Sequence, residues 1–214
     1  MRKLSIHGFT ALLVLCILVT IPVLSFAADS PTDRIRTTTD KVLGVLNNPA
    51  LKGPAKEAQR RKEIRAAVFG VFDFKEMAKR SLAQYWKERT PQEQEEFVSL
   101  FADLLERSYI NKIENYSGEK IVYGAETKDQ DYAVVKSKFI TKRREEIPVD
   151  YRMLTESGQW WVYDVVIENV SLVNNYRVQF NKIIRGSSYA DLVKKMKNKA
   201  ESEGLVAVGA GTKK

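Results

Sequence analysis

The chain has 214 residues and a formal net charge of +8, and it contains a single cysteine and a single histidine. Both residues, Cys16 and His7, lie in an N-terminal segment that we expect to be removed. The remaining chain then excludes disulfide frameworks, zinc sites built on cysteine or histidine, thiol nucleophiles and catalytic triads with a histidine base. Its length suits one domain with a sizeable core.

The N-terminal segment is typical of a secretory signal peptide. Arg2 and Lys3 precede an apolar run over residues 9–24, and the Ser-Phe-Ala sequence at residues 25–27 has the small-x-small pattern of a cleavage site. We therefore predict a signal peptide over residues 1–27. An uncleaved anchor is the alternative, but the run is short for a membrane span. Cleavage lowers the net charge from +8 to about +6, which serves solubility or attraction to an anionic partner such as a phospholipid head group.

Four helix starts are visible in the first half of the chain. Ser30 and Thr90 are N-cap residues followed by proline, Asp73 stands three residues before Glu76 as in a capping box, and Gly53 precedes another proline. The predicted helices therefore begin just after these residues. The fourth helix is the longest and carries a wide apolar stripe.

In the second half of the chain the apolar pattern changes to a period of two, which indicates β-strands. We predict a short strand over residues 121–123 and longer strands over 132–141, 147–155 and 161–167. Four consecutive strands with short turns form an antiparallel meander, and long antiparallel strands twist. Helical spacing resumes after Ser171, so the last strand is predicted to run directly into an amphipathic helix.

These elements predict an α+β fold in which helices pack on one face of a curved four-stranded antiparallel sheet. We assign a single domain to residues 28–204, and we expect residues 205–214, which are mostly small, to form a disordered tail. Such a fold can enclose an apolar cavity between the helices and the sheet. A stripe of apolar residues at helical spacing is, however, more often plain core.

Several segments of the chain are similar to a known family. They are the stretch VYDVVIENVSLVNNYRVQF at residues 162–180, the stretch FDFKEMA that begins at Phe72, and the spaced residues Tyr85, Trp86, Gln94, Phe97 and Phe101. Together they resemble the MlaC or toluene-tolerance family of periplasmic phospholipid-binding proteins, over about residues 32–199. A related branch associated with hopanoid synthesis is the alternative within that family.

The resemblance implies a periplasmic carrier that is not an enzyme. Its cargo would be a diacyl phospholipid, with no other cofactor. It would move lipid between an outer-membrane lipoprotein–porin complex and an inner-membrane ABC-transporter lipid complex, in an Mla-type system that maintains outer-membrane lipid asymmetry. The resemblance implies a monomer, and the export signal disfavours nucleic acid as a partner.

The predicted cavity wall combines one face of the strands with one face of the helices. Alternation places the odd-numbered strand residues inward, and helical spacing places an apolar stripe opposite them. The predicted cavity residues are Met77, Leu82, Phe97, Phe101, Leu104, Leu105, Tyr109, Val135, Phe139, Tyr151, Met153, Trp161, Tyr163, Val165, Ile167, Leu172, Val173, Tyr176 and Phe180.

The predicted head-group contacts are Asn174, Asn175 and Arg177, at the start of the helix that follows Ser171. Free backbone N–H groups and the helix dipole favour a phosphate at such a position. The competing interpretation is that the two asparagines only satisfy backbone groups near the helix cap.

Two functions of other classes remain open. One is an enzyme that uses a buried carboxylate such as Asp164 as a base, because burial can raise the pKa of a carboxyl group. Asp164 alternates to the side opposite Trp161 and Tyr163, however, which favours a salt-bridged or solvent-facing role. The other is a structural or adaptor domain with a filled core. We predict no catalytic residue and no metal site.

Overall fold

The computed structural model describes residues 30–198 and Leu205. The predicted signal peptide and nearly all of the predicted tail lie outside the described residues. In chain order the elements are helices α1 (Pro31–Asn47), α2 (Glu57–Phe69), α3 (Phe74–Leu82) and α4 (Pro91–Glu114), strands β1 (Lys120–Asp129), β2 (Tyr132–Ile140), β3 (Glu146–Glu156), β4 (Gln159–Ile167) and β5 (Val170–Ser171), and helices α5 (Leu172–Gly186) and α6 (Tyr189–Lys197).

Most helix starts follow from the capping residues that the sequence predicts. Thr90 and Glu93 form both hydrogen bonds of a capping box at the start of α4, and the Ser30 side chain caps α1. The second helix differs from the prediction. Gly53, at φ +88°, leads into a short 3₁₀ turn, and α2 begins at Glu57 without a side-chain cap.

The five strands form one antiparallel sheet in the order β1-β2-β3-β4-β5. The predicted α+β class is confirmed, and the sheet gains a two-residue edge strand that is too short to leave a pattern in the sequence. Strand β1 is also longer than predicted. Its register shifts between Tyr123 and Glu126, so the alternation that marks a strand is interrupted halfway along it.

The pairing of β3 with β4 contains a β-bulge. Arg152 pairs with Asp164, but the next position, Met153, pairs with Val162, so Tyr163 is an extra residue. Because side chains alternate with a period of two, one extra residue reverses which members of the strand face inward. Val162 therefore shares the inner face of the sheet with Met153.

The predicted inward orientation of Trp161 and Tyr163 is wrong for this reason. The Trp161 ring lies 5.5 Å from the guanidinium carbon of Arg34, and the Tyr163 ring lies 4.2 Å from that of Arg80. Alternation predicts side-chain direction only along an unbroken register, and nothing in the sequence marks the break.

Buried side chains form two clusters. The helical cluster joins α3, α4, α5 and α6, and its centre is four fully buried rings whose centroids lie 5.3–6.2 Å apart. These rings are Phe97, Phe101, Tyr176 and Phe180. The sheet cluster joins the inner faces of β2, β3 and β4 to Ile35 of α1 and to Val71.

Leu205 belongs to the helical cluster and is only 6% exposed. It is the first residue of the segment predicted to be disordered, and the rest of that segment lies outside the described residues. An apolar side chain amid small residues can still bury itself against a nearby core, since burying a leucine is worth about 1.5–3 kcal/mol.

Asp164 fixes the start of α5 against the sheet. Its carboxylate is 3% exposed and accepts hydrogen bonds from the Ser171 hydroxyl at 2.7 Å, the Val173 backbone N–H at 3.0 Å and the Arg152 guanidinium at 3.1 Å. The predicted salt bridge is confirmed, and the solvent-facing alternative is wrong. Two of the donors, Ser171 and Val173, lie at the start of α5, and the third, Arg152, lies on β3. The carboxylate therefore caps α5 and holds it against the sheet.

We expect Asp164→Asn to destabilise the fold by about 2–4 kcal/mol. An amide has one acceptor oxygen for three donors, and its NH₂ group must then face another donor. Urea unfolding followed by circular dichroism measures the change. The half-buried Asp150 of β3 provides the control, since Asp150→Asn should stay within about 0.5 kcal/mol of wild type. Equal stability of the two variants would contradict the capping role of Asp164.

Candidate functional site

A large apolar pocket lies between the helices and the sheet. Its volume is about 540 Å³. One wall is the inner face of β2, β3 and β4, the second is the C-terminal half of α4, and the third is the pair α1 and α2. Met77 of α3 and Leu172 of α5 also line it. Pockets of about 300–1,000 Å³ with mainly apolar walls are typical of small-molecule sites.

Eight of the predicted cavity residues line this pocket. They are Met77, Leu105, Tyr109, Phe139, Tyr151, Val165, Ile167 and Leu172. The strand members of this group come from the part of the sheet in which the register is unbroken, where alternation predicts the inner face.

The other predicted cavity residues do not line the pocket. Leu82, Phe97, Phe101, Leu104, Val173, Tyr176 and Phe180 lie in the helical cluster, Val135 and Met153 lie in the sheet cluster, and Trp161 and Tyr163 follow the bulge. The prediction is wrong for these helical residues because the two halves of the apolar stripe on α4 face different surroundings. The N-terminal half packs against α5 and α6, and only the half from Ala102 onward lines the pocket.

Sequence analysis missed the wall formed by α1 and α2. Its pocket residues include Val42, Leu43, Leu46, Ile64 and Val68. Both helices have apolar residues at helical spacing, but only Ile64 of these five is buried. Half-exposed apolar side chains on two short helices indicate a surface that contacts something other than protein core.

The predicted head-group residues lie outside the pocket lining. Asn174 and Arg177 are exposed on α5, and the Arg177 guanidinium donates to the Asn174 side chain. The first backbone N–H groups of α5 are already bonded, that of Val173 to Asp164 and that of Asn174 to the Ser171 hydroxyl. This helix start therefore offers fewer free donors to a phosphate than its sequence suggests. Asn175 is half-buried on the same turn.

The pocket wall contains a tyrosine that stays neutral. Burial raises the pKa of Tyr151 well above its ordinary value, more than the hydrogen bond with Ser137 lowers it. The Ser137 hydroxyl itself donates to the Val149 carbonyl at 2.7 Å. The hydroxyl groups of Tyr151 and Ser137 are thus uncharged, which suits an apolar ligand at this part of the wall.

Helix α2 is joined to α4 by ion pairs that flank the pocket. We call them the α2–α4 clasp, which consists of Arg60, Arg61 and Arg65 on α2 with Asp103, Glu106 and Glu114 on α4. Arg65 and Glu106 also line the pocket. The clasp therefore links two walls of the pocket across its edge.

Glu114 is the most enclosed member of the clasp. Its side chain is 11% exposed and lies 2.7 Å from the Arg60 guanidinium and 2.8 Å from that of Arg61. Burial works to raise the pKa of Glu114, but the hydrogen bonds and charges of the two arginines outweigh burial and lower it. Glu114 is therefore an anion at neutral pH.

Within the described residues, no cluster of three or more Asp, Glu, His or Cys could hold a metal ion. None of the helices in residues 30–198 is both long and apolar enough to cross a membrane.

Comparison with families and curated proteins gives a consistent match. The model of the family described as MlaC protein matches residues 36–198. The chain is 22% identical over 182 residues to the "Intermembrane phospholipid transport system binding protein MlaC" of Haemophilus influenzae, covering 82% of this chain and 85% of that protein. It is 25% identical over 169 residues to the "Toluene tolerance protein ttg2D" of Pseudomonas putida, covering 78% of this chain and 79% of that protein.

A solved structure shares the fold. It is that of a phospholipid-binding protein from Ralstonia solanacearum in complex with a phospholipid. The TM-score is 0.70 at 24% identity, and the match covers 80% of this chain and 96% of the solved one.

We expect Glu114→Gln to destabilise the protein by about 1–3 kcal/mol at pH 7, because two arginines lose a charged hydrogen-bond acceptor. The pKa of Glu114 is lowered in the folded state, so its contribution is present above the unfolded pKa, near 4.5, and is lost as the pH falls through the folded value. Urea unfolding at a series of pH values should show the difference from wild type shrinking below about pH 4.5.

The control is Glu96→Gln, which removes an exposed ion pair with Lys197. Exposed pairs contribute about 0–1 kcal/mol, so this variant should remain close to wild type. A Glu114→Gln protein that matches it at every pH would show that the clasp does not stabilise the fold.

Proposed function

The chain belongs to the MlaC family, and from that premise we propose that it is a periplasmic phospholipid carrier that holds acyl chains in its apolar pocket. The signal peptide predicted over residues 1–27 would export it, and residues 28–204 would form the lipid-binding domain. The carrier would pass lipid between an outer-membrane lipoprotein–porin complex and an inner-membrane ABC-transporter complex. The name of the Haemophilus influenzae relative, which speaks of intermembrane phospholipid transport, supports this.

The observation that carries the proposal is the pocket itself. Its 540 Å³ is more than three times the roughly 150 Å³ that accommodates one benzene molecule, so it has room for about twenty methylene groups. At ~0.8 kcal/mol for each buried methylene, that number gains about 16 kcal/mol on leaving water. The pocket therefore fits one long acyl chain and part of a second, with apolar walls on three sides.

The same energetics favours a carrier over a permanent lipid store. A bilayer offers acyl chains nearly the same gain as the pocket, so transfer between the two is close to neutral in free energy. The direction of net transfer must then come from the partner complexes. This function needs no covalent chemistry.

An enzyme that uses Asp164 as a base is less well supported. The Asp164 carboxylate is enclosed by three hydrogen-bond donors and does not line the pocket. A base needs a free acceptor within reach of its substrate. A domain with a filled core is disfavoured because the two buried clusters leave a large pocket between the helices and the sheet.

We expect the exported protein to co-purify with phospholipid, and Val68→Glu to abolish that retention without unfolding. Val68 is half-buried in the pocket wall, so water can reach a carboxylate there while the pocket is empty. An acyl chain would strip that water, at a cost of several kcal/mol for the ion, which should weaken lipid binding more than 100-fold. Native mass spectrometry and lipid extraction measure the bound lipid.

The matched control is Val178→Glu, since Val178 is 61% exposed on α5 and outside the pocket. It should retain lipid at the wild-type level. Circular dichroism establishes that both variants are folded. A wild-type protein without phospholipid, or a Val68→Glu protein with normal lipid content, would refute the proposed function.

A further inference from the structure

The charged residues of the pocket wall lie in two places. Arg65 and Glu106 belong to the α2–α4 clasp, where they form an ion pair with each other. Lys112 and Glu119 lie at the other place, where α4 ends and β1 begins. Asn115, also in the wall, lies between them. This second group forms a polar end on an otherwise apolar pocket, which we call the α4 end of the pocket.

Lys112 is a cation without a carboxylate partner among residues 30–198. Within the residues that the structure describes, it is in no ion pair, and its ammonium nitrogen lies 5.4 Å from the centre of the Tyr109 ring. Both residues line the pocket. The carboxylate of Glu119, the other charged residue at this end of the pocket wall, is already engaged by Ser117. The backbone N–H and the hydroxyl of Ser117 each donate to it at 2.9 Å.

The surroundings of Lys112 favour the arrival of an anion. Partial burial lowers its pKa because the ammonium group has lost some of its water. Glu119 is itself an anion. Burial works to raise its pKa, but its hydrogen bonds with Ser117 and the charge of Lys142 outweigh burial and lower it. These groups, and not Lys112, compensate the charge of Glu119. Lys142 follows Thr141, another residue of the pocket wall, so a second cation stands close to the same end.

We propose that Lys112 binds the phosphate of the cargo lipid at the α4 end of the pocket, with the acyl chains extending from there between α1, α2 and the sheet. This assignment rests on the proposed function and adds to it a residue that sets head-group preference. An ammonium group is a strong partner for phosphate oxygens. A phosphate at this point lies at the border between the apolar walls and water, where a phospholipid needs its head group.

Two other roles for charged residues compete with this assignment. A lysine in the last turn of a helix interacts favourably with the partial negative charge of the helix C-terminus, and that role affects helix stability without affecting lipid choice. Arg177 is the alternative phosphate contact. Both side chains are exposed, but Lys112 lines the pocket and Arg177 does not. The two roles and the two residues can be separated by measuring lipid composition and stability together.

The test is uptake from vesicles that contain equal amounts of phosphatidylglycerol and phosphatidylcholine with the same acyl chains. The purified protein is incubated with the vesicles, and its bound lipid is measured by mass spectrometry at low and high salt. We expect Lys112→Gln to reduce the preference for phosphatidylglycerol roughly three- to tenfold, since one partly exposed charge pair contributes on the order of 1 kcal/mol. The total amount of bound lipid should stay unchanged, because the acyl chains supply most of the binding energy. Salt should weaken the effect.

Three variants make the result specific. Lys112→Arg should restore the preference, while Arg177→Gln and Lys62→Gln, an exposed residue of α2 outside the pocket, should leave it at the wild-type level. A Lys112→Gln protein with the head-group distribution of Lys62→Gln, at wild-type lipid content, would overturn this assignment and leave the proposed function intact. A loss of preference in Arg177→Gln instead would also overturn it. A wild-type protein that takes up neither lipid would overturn the proposed function and this assignment together.

Discussion

Aromatic packing between α4 and α5 is the interaction on which the pocket depends. An apolar pocket leaves its lining atoms without partners on one side, and the fold loses their dispersion contacts. The rings of Phe97, Phe101, Tyr176 and Phe180 restore such contacts next to the pocket, with three edge-to-face pairs among them. Aromatic pairs of this geometry contribute about 0.5–1.5 kcal/mol each beyond the area they bury. The helical cluster thus packs one half of α4 against protein while the other half borders the pocket.

The opposite side of the pocket is held by a different kind of contact. Helix α2 meets α4 through the charged groups of the α2–α4 clasp, and the apolar residues of α1 and α2 that face the pocket are mostly half-exposed. The ion pairs of Arg65 with Asp103 and Glu106 are partly exposed, so water can solvate their charges when they separate, and such pairs contribute only about 0–1 kcal/mol. The helices of the helical cluster cannot separate at a similarly low cost in free energy, since their separation would expose large apolar areas to water. The pocket therefore has one fixed wall and one that can separate at lower cost.

Local chemistry made much of this fold predictable, and long-range geometry made the rest unpredictable. The caps at Ser30 and Thr90 and the strands β2, β3 and β4 follow from neighbouring residues, and the structure places them close to the predicted bounds. The bulge at Tyr163 depends on how β4 meets β3 and on no local signal, so Trp161 was assigned to the wrong face. The stripe of α4 looks uniform in sequence, because periodicity identifies an apolar face and not whether protein or ligand covers it. The sequence suggests that the start of α5 has free backbone N–H groups for a phosphate. In the structure the N–H of Val173 is bonded to Asp164 of β4, and no local sequence pattern indicates that contact.

The division of α4 into a locked half and a pocket half has a consequence for cargo variety. A ligand longer or bulkier than the resting pocket cannot gain room by moving α4, because the rings of Phe97 and Phe101 are already in contact with α5. Extra volume must come from displacement of α1 and α2. The pocket-facing side chains of these helices, such as Val42 and Val68, are already partly exposed to solvent. Each additional methylene then pushes the same two helices outward. Lipids that differ in chain length would share one binding mode and differ mainly in how far this helix pair stands from the sheet.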